Sequence, residues 1–341
     1  MPELGSINRA SGAAGEFELI GRYFAPLAKG FPGAYGLLDD AALIAPFPGH
    51  ELVAKTDAIV GGVHFLPDDP PDLIARKALR VNLSDIAAKG AVPRAYMVDL
   101  MLPGETSEQW VADFARGLAE DQAEYGVHLI GGDTNATPGP VAIAVMAFGD
   151  IPADRMIKRS GARAGDKIFV TGTIGDAALG LKVLLGDMPE LDASATAFLI
   201  DRYRLPRPRV GLGAKLTGLV NASIDVSDGL VADLGHICEM SGLAALVEAP
   251  LVPLSTAARA AVARRPGRIE TVLTGGDDYE ILFTARASST GALTELSRVL
   301  DVPITVIGHM HSPSEGAQGK VAVLDERGRR LVFDREGWKH F

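Results

Sequence analysis

Cysteine is almost absent from this sequence, since Cys238 is the only one among 341 residues. A single thiol excludes an intrachain disulfide and a zinc site built from several cysteines, and it indicates a reducing compartment. Long apolar runs are also missing, because no stretch approaches the ~18 to 20 residues that span a bilayer. The first residues lack the basic and then apolar pattern of a secretory signal, so we expect a cytoplasmic protein.

Positive charge is in deficit: 33 Lys and Arg stand against 43 Asp and Glu, which gives a formal net charge of −10. This balance disfavours binding to a nucleic-acid backbone, although an acidic protein can bind ATP when magnesium neutralises the contacts. The length and the 47% hydrophobic content allow two domains, each with its own core. We expect them at residues 1–151 and 152–341, joined through Pro152 to Gly165.

The periodicity of apolar residues predicts alternating helices and strands in both halves, which indicates α/β or α+β domains. Helices are expected from Asp72 to Ala88 and from Ser107 to Gly126. Val141 to Phe148 is almost wholly apolar, which predicts a strand covered on both faces. Arg204 to Arg209, with the sequence RLPRPR, is interpreted as a solvated loop.

The segment KTDAIVGGVHF, from Lys55 to Phe65, combines a carboxylate with paired glycines. Leu52 to Lys55 is predicted as a strand with Thr56 and Asp57 at its end, followed by a loop that carries His64. A carboxylate there, beside glycines that let the backbone approach a ligand, is typical of a metal–phosphate site. By itself, His64 is better explained as a loop histidine with a satisfied hydrogen bond.

Aspartates recur at predicted turns in both halves, several beside glycine or serine: Asp39, Asp40, Asp57, Asp85, Asp133, Asp225, Asp228, Asp277 and Asp278. Two like charges about 4 Å apart repel by ~4 kcal/mol at an effective dielectric constant of ~20, so crowded carboxylates indicate bound cations. Oxygen ligands without a His/Cys cluster favour magnesium with a nucleotide over zinc or iron. The residues alone leave unrelated turns open as an explanation.

Nine segments then occur in order across residues 16–341: LLDDAA, KTDAIVGGVHF, NLSDIAAKGAVP, LIGGDTN, KRSGARAGD, VTGTIGD, ASIDVSDGLVADL, LTGGDDYEILF and GWKHF. Together they resemble the thiamine-monophosphate kinases, a family of the aminoimidazole-ribotide synthetase-like ATP-binding superfamily. The resemblance implies two mixed-sheet α/β (α+β) domains in a homodimer, with the N-terminal domains pairing strands. It also implies phosphoryl transfer from ATP to thiamine monophosphate in thiamine diphosphate biosynthesis, with several Mg²⁺ ions.

The resemblance also implies roles for individual positions. It implies metal-ligand positions at Asp40, Lys55 (through its backbone), Thr56, Asp57, Asp85, Asp133, Asp225 and Asp228. ATP contacts are implied at Gly132, Asp133, Arg159 and Ser227, and substrate contacts at His64, Asp277 and Trp338. Asp57, Asp85 and Asp133 form the implied catalytic set. The family often has glutamate where this chain has Asp277, and usually has glycine immediately before the first of two aspartates, where this chain has Leu38.

Alternatives stay open at this stage. Arg159 is also explained as a charge in the interdomain linker, and Trp338 as an anchor for the C-terminal segment. A selenophosphate synthetase usually carries cysteine or selenocysteine near its N-terminus, and a hydrogenase-maturation dehydratase would end in a cysteine-bearing tail; this chain has neither feature. A ribotide synthetase stays possible on fold, although KTDAIVGGVHF and GWKHF match the kinases better. A non-catalytic sensor of nucleotide or thiamine phosphate would keep the same pocket.

Overall fold

The computed structural model describes residues 15–313 and 319–338. The described chain divides into two compact units, the first within residues 1–48, 52–82 and 93–150 and the second within residues 49–51, 83–92 and 151–341. Across the described ranges, every helix is too short or too polar to cross a membrane.

The first unit contains a four-stranded sheet with the strand order β1-β4-β2-β3. Its strands are β1 (His50–Val60), β2 (Val92–Pro103), β3 (His128–Thr137) and β4 (Ala142–Pro152). Its helices are α1 (Glu16–Leu19), which continues into a π-helical turn and a 3₁₀ turn up to Ala28, α2 (Pro71–Ala88) and α3 (Glu108–Tyr125). The residues of α2 from Leu83 onward are counted with the second unit. β2 and β3 are parallel, and their register places Asp99 opposite Asp133.

The predicted helix from Ser107 to Gly126 is confirmed, with both residues acting as caps. The Ser107 hydroxyl accepts a hydrogen bond from the backbone N–H of Trp110, and Gly126 closes the helix with φ of 67°. Helix α3 lies so close to α2 that a side chain at Gly117 would overlap the Asp72 backbone. The buried Asp121 carboxylate accepts hydrogen bonds from Arg76 and from Arg80, which ties the two helices together.

Two strand predictions in this unit were wrong. The strand expected to end at Lys55 continues to Val60, so Asp57 lies within β1. The in/out alternation of a half-buried strand persists through the polar residues, with Val53 and Ile59 buried on the same face as Lys55 and Asp57. The strand predicted to be covered on both faces also alternates, because Met146 of β4 is 39% exposed between buried neighbours.

The second unit contains a six-stranded mixed sheet with the order β10-β7-β9-β5-β8-β6. Its strands are β5 (Lys167–Thr171), β6 (Ala222–Asp225), β7 (Ala244–Glu248), β8 (Ile281–Ala285), β9 (Ile304–His311) and β10 (Val321–Leu324). Its helices are α4 (Asp176–Leu184), α5 (Ala193–Arg204), α6 (Val210–Gly213), α7 (Leu230–Ser241), α8 (Thr256–Arg264), α9 (Arg268–Thr274) and α10 (Thr290–Leu300).

Apolar clusters cover both faces of this sheet. One cluster joins Val170 and Leu282 to residues of α7 such as Leu234. The other joins Leu293 of α10 to Phe169 and Phe283, a directly opposed cross-strand pair whose rings stack with centroids 5.2 Å apart. Cys238 is fully buried within α7 and belongs to the first of these clusters, and burial raises the pKa of its thiol to about 12.

Candidate active site

Asp39 and Asp40 lie on a strap, residues 31–47, that borders a cavity in the first unit. The cavity has a volume of about 150 Å³ and is lined by both aspartates and by Gly131–Thr134 of β3. The strap turns through three residues with positive φ, namely Tyr35, Gly36 and Leu37. Leu38, immediately before the aspartates, has φ of −106°, so the backbone at that position does not need the glycine that the family usually has.

Arg94 ties the strap to the sheet. Its guanidinium donates hydrogen bonds to the Ala45 carbonyl oxygen at 2.7 Å and to the buried Asp150 carboxylate at 3.0 Å. The same group lies over the rings of Phe31 and Phe47, at 5.5 and 4.5 Å from their centroids. The strap that carries Asp39 and Asp40 is therefore held near both of its ends.

Gly132 and Asp133 lie within β3 rather than after it. Gly132 adopts φ of 151°, and a side chain there would overlap the carbonyl oxygen of Val98, its partner on β2. The Asp133 carboxylate accepts hydrogen bonds from the backbone N–H of Thr134 at 2.9 Å and from the Asn135 side chain. These contacts orient the exposed Asp133 carboxylate along the strand that lines the cavity.

Lys55, Thr56 and Asp57 lie side by side on β1. The Lys55 ammonium is 3.1 Å from the Asp57 carboxylate on one face of the strand, while Thr56 is exposed on the other. The buried Asn82 side chain accepts a hydrogen bond from the Asp57 backbone N–H at 2.8 Å and donates one to the Ala78 carbonyl oxygen at 3.0 Å. Asn82 therefore fixes the backbone of Asp57, although the two residues lie 25 positions apart in the chain.

His64 lies in the turn after β1. Its Nδ1 accepts a hydrogen bond from the Val60 backbone N–H at 3.0 Å. The turn is closed by the Gly62 N–H, which donates to the Phe65 carbonyl oxygen at 2.8 Å. Because Nδ1 is an acceptor, the neutral ring carries its proton on Nε2.

Asp85 and Arg159 both fall in the second unit. Asp85 is half-buried on α2, and Arg159 is exposed. The Arg159 carbonyl oxygen accepts a hydrogen bond from the Ser241 hydroxyl at 3.4 Å, and this hydroxyl also accepts one from the Gly161 N–H at 3.3 Å. These contacts anchor the backbone of the loop on which Arg159 is displayed.

Asp225 ends β6, and the turn Ser227–Gly229 leads from it into α7. Asp225 is buried, and Asp228 is half-buried. A third carboxylate, on Asp233 of α7, lies under the turn. Burial raises the pKa of the Asp233 carboxyl well above its usual value, and the negative charges of Asp225 and Asp228 raise this pKa further. The carboxylates of Asp225 and Asp228 are therefore close enough to that of Asp233 to disfavour its negative charge.

Asp277 lies on a loop that is paired with the Ser227–Gly229 turn through the backbone. The Asp277 N–H donates to the Ser227 carbonyl oxygen and the Tyr279 N–H to that of Val226, both at 2.8 Å. Asp277 and Tyr279 have φ of 67° and 51°, values that residues other than glycine seldom adopt. Between them, the fully buried Asp278 carboxylate accepts hydrogen bonds from backbone N–H groups at the start of α4.

Trp338 lies beside the same turn. Its backbone N–H donates a hydrogen bond to the Asp228 carbonyl oxygen at 2.9 Å, and its ring is about half exposed. Trp338 and Asp228 line a second cavity, of about 450 Å³, together with His236 of α7. Ligand atoms of Asp228, Asp233 and His236 lie within 4.8 Å of one another. Sequence reasoning gave no role to Asp233 or His236, although Asp233 lies within the segment ASIDVSDGLVADL and His236 lies two residues after its end.

The prediction that Arg204 to Arg209 is merely solvated was wrong for Arg209. Its guanidinium bonds the fully buried Glu280 carboxylate, with its Nε 2.6 Å from an oxygen of that group. Glu280 also accepts hydrogen bonds from Arg202 at 3.1 Å and from the Thr171 hydroxyl at 2.7 Å. Two arginines therefore neutralise one buried carboxylate directly after the Asp277 loop.

The predicted residues thus fall into local groups. Asp40, Gly132 and Asp133 line one cavity, and Lys55 and Asp57 form an ion pair on β1. In the second unit, Ser227, Asp228, Asp277 and Trp338 are joined by backbone hydrogen bonds. The carboxylate and hydroxyl oxygens in both units, and the mutual repulsion around Asp233, fit a hard cation such as Mg²⁺.

Comparisons with known proteins find relatives that match almost the whole chain. A sequence profile described as "AIR synthase related protein, N-terminal domain" matches residues 38–151. The thiamine-monophosphate kinase of Salmonella typhimurium is 42% identical over 96% of this chain and 99% of its own length.

Two solved structures are similar in fold. The crystal structure of the thiamine-monophosphate kinase from Stenotrophomonas maltophilia superposes with a TM-score of 0.78 at 38% identity, covering 86% of this chain and 91% of its own. AaThiL complexed with AMPPCP and TMP superposes with a TM-score of 0.75 at 30% identity, covering 91% of this chain and 97% of its own.

Proposed function

This chain belongs to the thiamine-monophosphate kinase family, and we propose that it transfers the γ-phosphoryl group of ATP directly to thiamine monophosphate. The products are thiamine diphosphate and ADP. The observation that carries the proposal is the likeness, over 91% of this chain, to a ThiL that holds AMPPCP and TMP together.

We assign the site residues by their place in the matching motifs. The proposed metal ligands are Asp40, Lys55 through its carbonyl oxygen, Thr56, Asp57, Asp85, Asp133, Asp225 and Asp228. ATP contacts fall to Gly132, Asp133, Arg159 and Ser227, and substrate contacts to His64, Asp277 and Trp338. Asp57, Asp85 and Asp133 are the proposed catalytic residues. The cavity bordered by Asp40 and Asp133 supports the roles proposed for the residues of the first unit. The paired loops at Ser227 and Asp277 support those proposed for the second unit.

The chemistry requires positioning more than proton transfer. The second pKa of a phosphate monoester is ~6, so the acceptor oxygen is already ionised near neutral pH and no general base is needed. Magnesium, when bound, would neutralise the two phosphate groups and stabilise the charge on the transferring group. The chain's part is to hold its carboxylates still: Asn82 fixes the Asp57 backbone, and Asp133 is oriented by its neighbours on β3.

Incubation of the purified protein with ATP, MgCl₂ and thiamine monophosphate, followed by separation of the thiamine phosphates, tests this function. We expect equimolar thiamine diphosphate and ADP, and no product after chelation with EDTA. Unphosphorylated thiamine is the matched acceptor, because it offers a hydroxyl where thiamine monophosphate offers a phosphate. The proposed reaction would be rejected if the protein phosphorylated thiamine but not thiamine monophosphate, or if it bound the nucleotide and formed no product.

We further propose a homodimer that pairs strands between N-terminal domains. β1 stands at the edge of its sheet and is 11 residues long, and long edge strands favour pairing with another strand. Light scattering would reject the dimer if the mass stays near 35.7 kDa at all concentrations.

We also propose a domain boundary between residues 151 and 152 and a cytoplasmic location, where ATP is available. Limited proteolysis tests the boundary, because cleavage should concentrate between Pro152 and Gly165 if this stretch links the domains. Fractionation of cells that express the protein tests the location.

A further inference from the structure

Asp233 is a buried carboxylate to which the proposed assignments give no role. It lies on the first turn of α7 and is 1% exposed. Burying a carboxylate is costly unless hydrogen bonds replace its hydration. The structure shows which groups replace that hydration.

Three consecutive backbone N–H groups donate to one oxygen of Asp233. The donors are Ser227, Asp228 and Gly229, at 2.9, 3.0 and 3.1 Å. The turn can direct all three toward one point because Gly229 adopts φ of 123°, where a side chain would also contact the Thr274 backbone. Asp233 therefore holds the main chain of the whole turn.

The Ser227–Gly229 turn also supports the loop that carries Asp277. Ser227 and Val226 accept the backbone hydrogen bonds of Asp277 and Tyr279. Gly276 lies against the Ser227 carbonyl oxygen so closely that a side chain would overlap it. A displacement of the turn would therefore also displace the loop that carries Asp277.

We propose that Asp233 is a positioning residue for phosphoryl transfer: by accepting these three hydrogen bonds it fixes the Ser227 and Asp228 side chains and, through the paired loop, Asp277. This inference rests on the proposed function, which gives the nucleotide, metal and substrate contacts to those three residues. Asp233 acts through the turn and need not contact a ligand itself.

Direct metal binding by Asp233 is the competing role, since it lies near Asp228 and His236. The two roles differ in what they need from the side chain. Positioning needs an acceptor oxygen, which asparagine retains. Metal binding needs the negative charge, which asparagine and alanine both lose.

The test compares Asp233→Asn and Asp233→Ala with the wild-type protein. The matched control is Asp192→Ala, which removes a carboxylate that accepts a backbone N–H at the start of α5, away from the turn. Readouts are kcat, the KM values of ATP and thiamine monophosphate, the Mg²⁺ concentration for half-maximal rate, and calorimetric binding of AMPPCP with Mg²⁺. Near-UV circular dichroism checks that each variant is folded.

We expect Asp233→Ala to lower kcat/KM for both substrates by at least about tenfold and to weaken AMPPCP binding, because small misplacements of contact groups are costly. The kcat/KM values of Asp233→Asn should stay within about threefold of those of the wild-type protein, and the Asp192→Ala control should match the wild-type protein. If Asp233→Ala does not fold, Asp233→Ser takes its place, since a shorter hydroxyl cannot span all three donors.

Equal losses in Asp233→Asn and Asp233→Ala would overturn the inference in favour of direct metal binding. A folded Asp233→Ala within about twofold of wild type in every readout would overturn it outright. If only the proposed function is wrong, the wild-type protein gives no thiamine diphosphate. In that case AMPPCP should still bind more weakly to Asp233→Ala than to Asp233→Asn and the wild-type protein. A wild-type protein that neither binds AMPPCP nor turns over would overturn both.

Discussion

Replacement of Gly132 by alanine tests the geometry of the cavity in the first unit. Two penalties follow from the structure. Alanine would have to adopt the φ of 151° observed for Gly132, a conformation that costs a residue with a side chain ~1–3 kcal/mol. Its Cβ would also overlap the Val98 carbonyl oxygen, and relief of such overpacking costs a further ~1–3 kcal/mol. We therefore expect the free energy of unfolding to fall by ~2–6 kcal/mol.

Gly131→Ala is the matched control, one residue earlier in the same motif. The Cβ of this alanine would meet the end of the Met97 side chain at 2.7 Å, and a flexible methionine can move aside. Gly131 does not adopt a positive φ, and replacing glycine at a compatible position commonly stabilises a protein by ~0.4–1 kcal/mol. The control should therefore unfold close to the wild-type temperature.

Thermal unfolding followed by circular dichroism measures the difference. For domains of about this size each kcal/mol shifts Tm by ~2–4 °C, so Gly132→Ala should unfold at least about 4 °C below Gly131→Ala. AMPPCP binding, measured on the same samples below both transitions, should be weaker for Gly132→Ala. Equal Tm values for the two variants would refute the close approach of β3 to β2 at this residue.

Three further predictions concern other groups. Asp57→Asn should fold with unchanged Tm and lose most of kcat, because its backbone contact with Asn82 survives while its charge does not; near-normal turnover with unchanged Mg²⁺ dependence would remove Asp57 from the mechanism. Burial raises the pKa of Asp176, so the protonated carboxyl favours the folded state. Its contribution to stability is full below the pKa of the unfolded chain and is lost as pH rises through the pKa of the folded chain. Urea titrations should therefore show the free energy of unfolding of Asp176→Asn rising relative to that of the wild-type protein as pH rises, and a difference independent of pH would contradict this. Cys238, buried and with its pKa raised to about 12, should react with a thiol reagent at pH 8 only after unfolding, and rapid labelling of the native protein would show that α7 opens.

Sequence patterns predicted an element well where its ends depend on local signals. The N-cap serine and terminal glycine of α3 both act as expected. Strand ends were less predictable, because Asp57 and the glycines of β3 resemble turn residues by composition. Their strands continue because neighbouring strands hold them, as the register of β2 with β3 shows for Gly132. Such pairing depends on residues far apart in the chain.

Within the candidate site, the sequence motifs include the supporting residues Asn82 and Asp233 but do not reveal what these residues support. Asn82, Asp233 and Arg209 each lie beside a predicted group in the folded chain, and their roles arise from single contacts. Arg209 was taken for a surface charge because its neighbours are proline and arginine. Only the folded chain brings Glu280, 71 residues away, into reach of its guanidinium.

The backbone at Asp277 has a consequence for the order of the loop that carries it. At φ of 67° glycine would be the residue of lowest strain, and the two preceding positions already hold glycine. A residue with a side chain keeps such a conformation only where the surrounding contacts hold it. The hydrogen bonds that the Asp277 and Tyr279 N–H groups donate to Ser227 and Val226 supply these contacts. The Asp277 backbone is therefore ordered before any ligand arrives, so binding need not supply the free energy to order it.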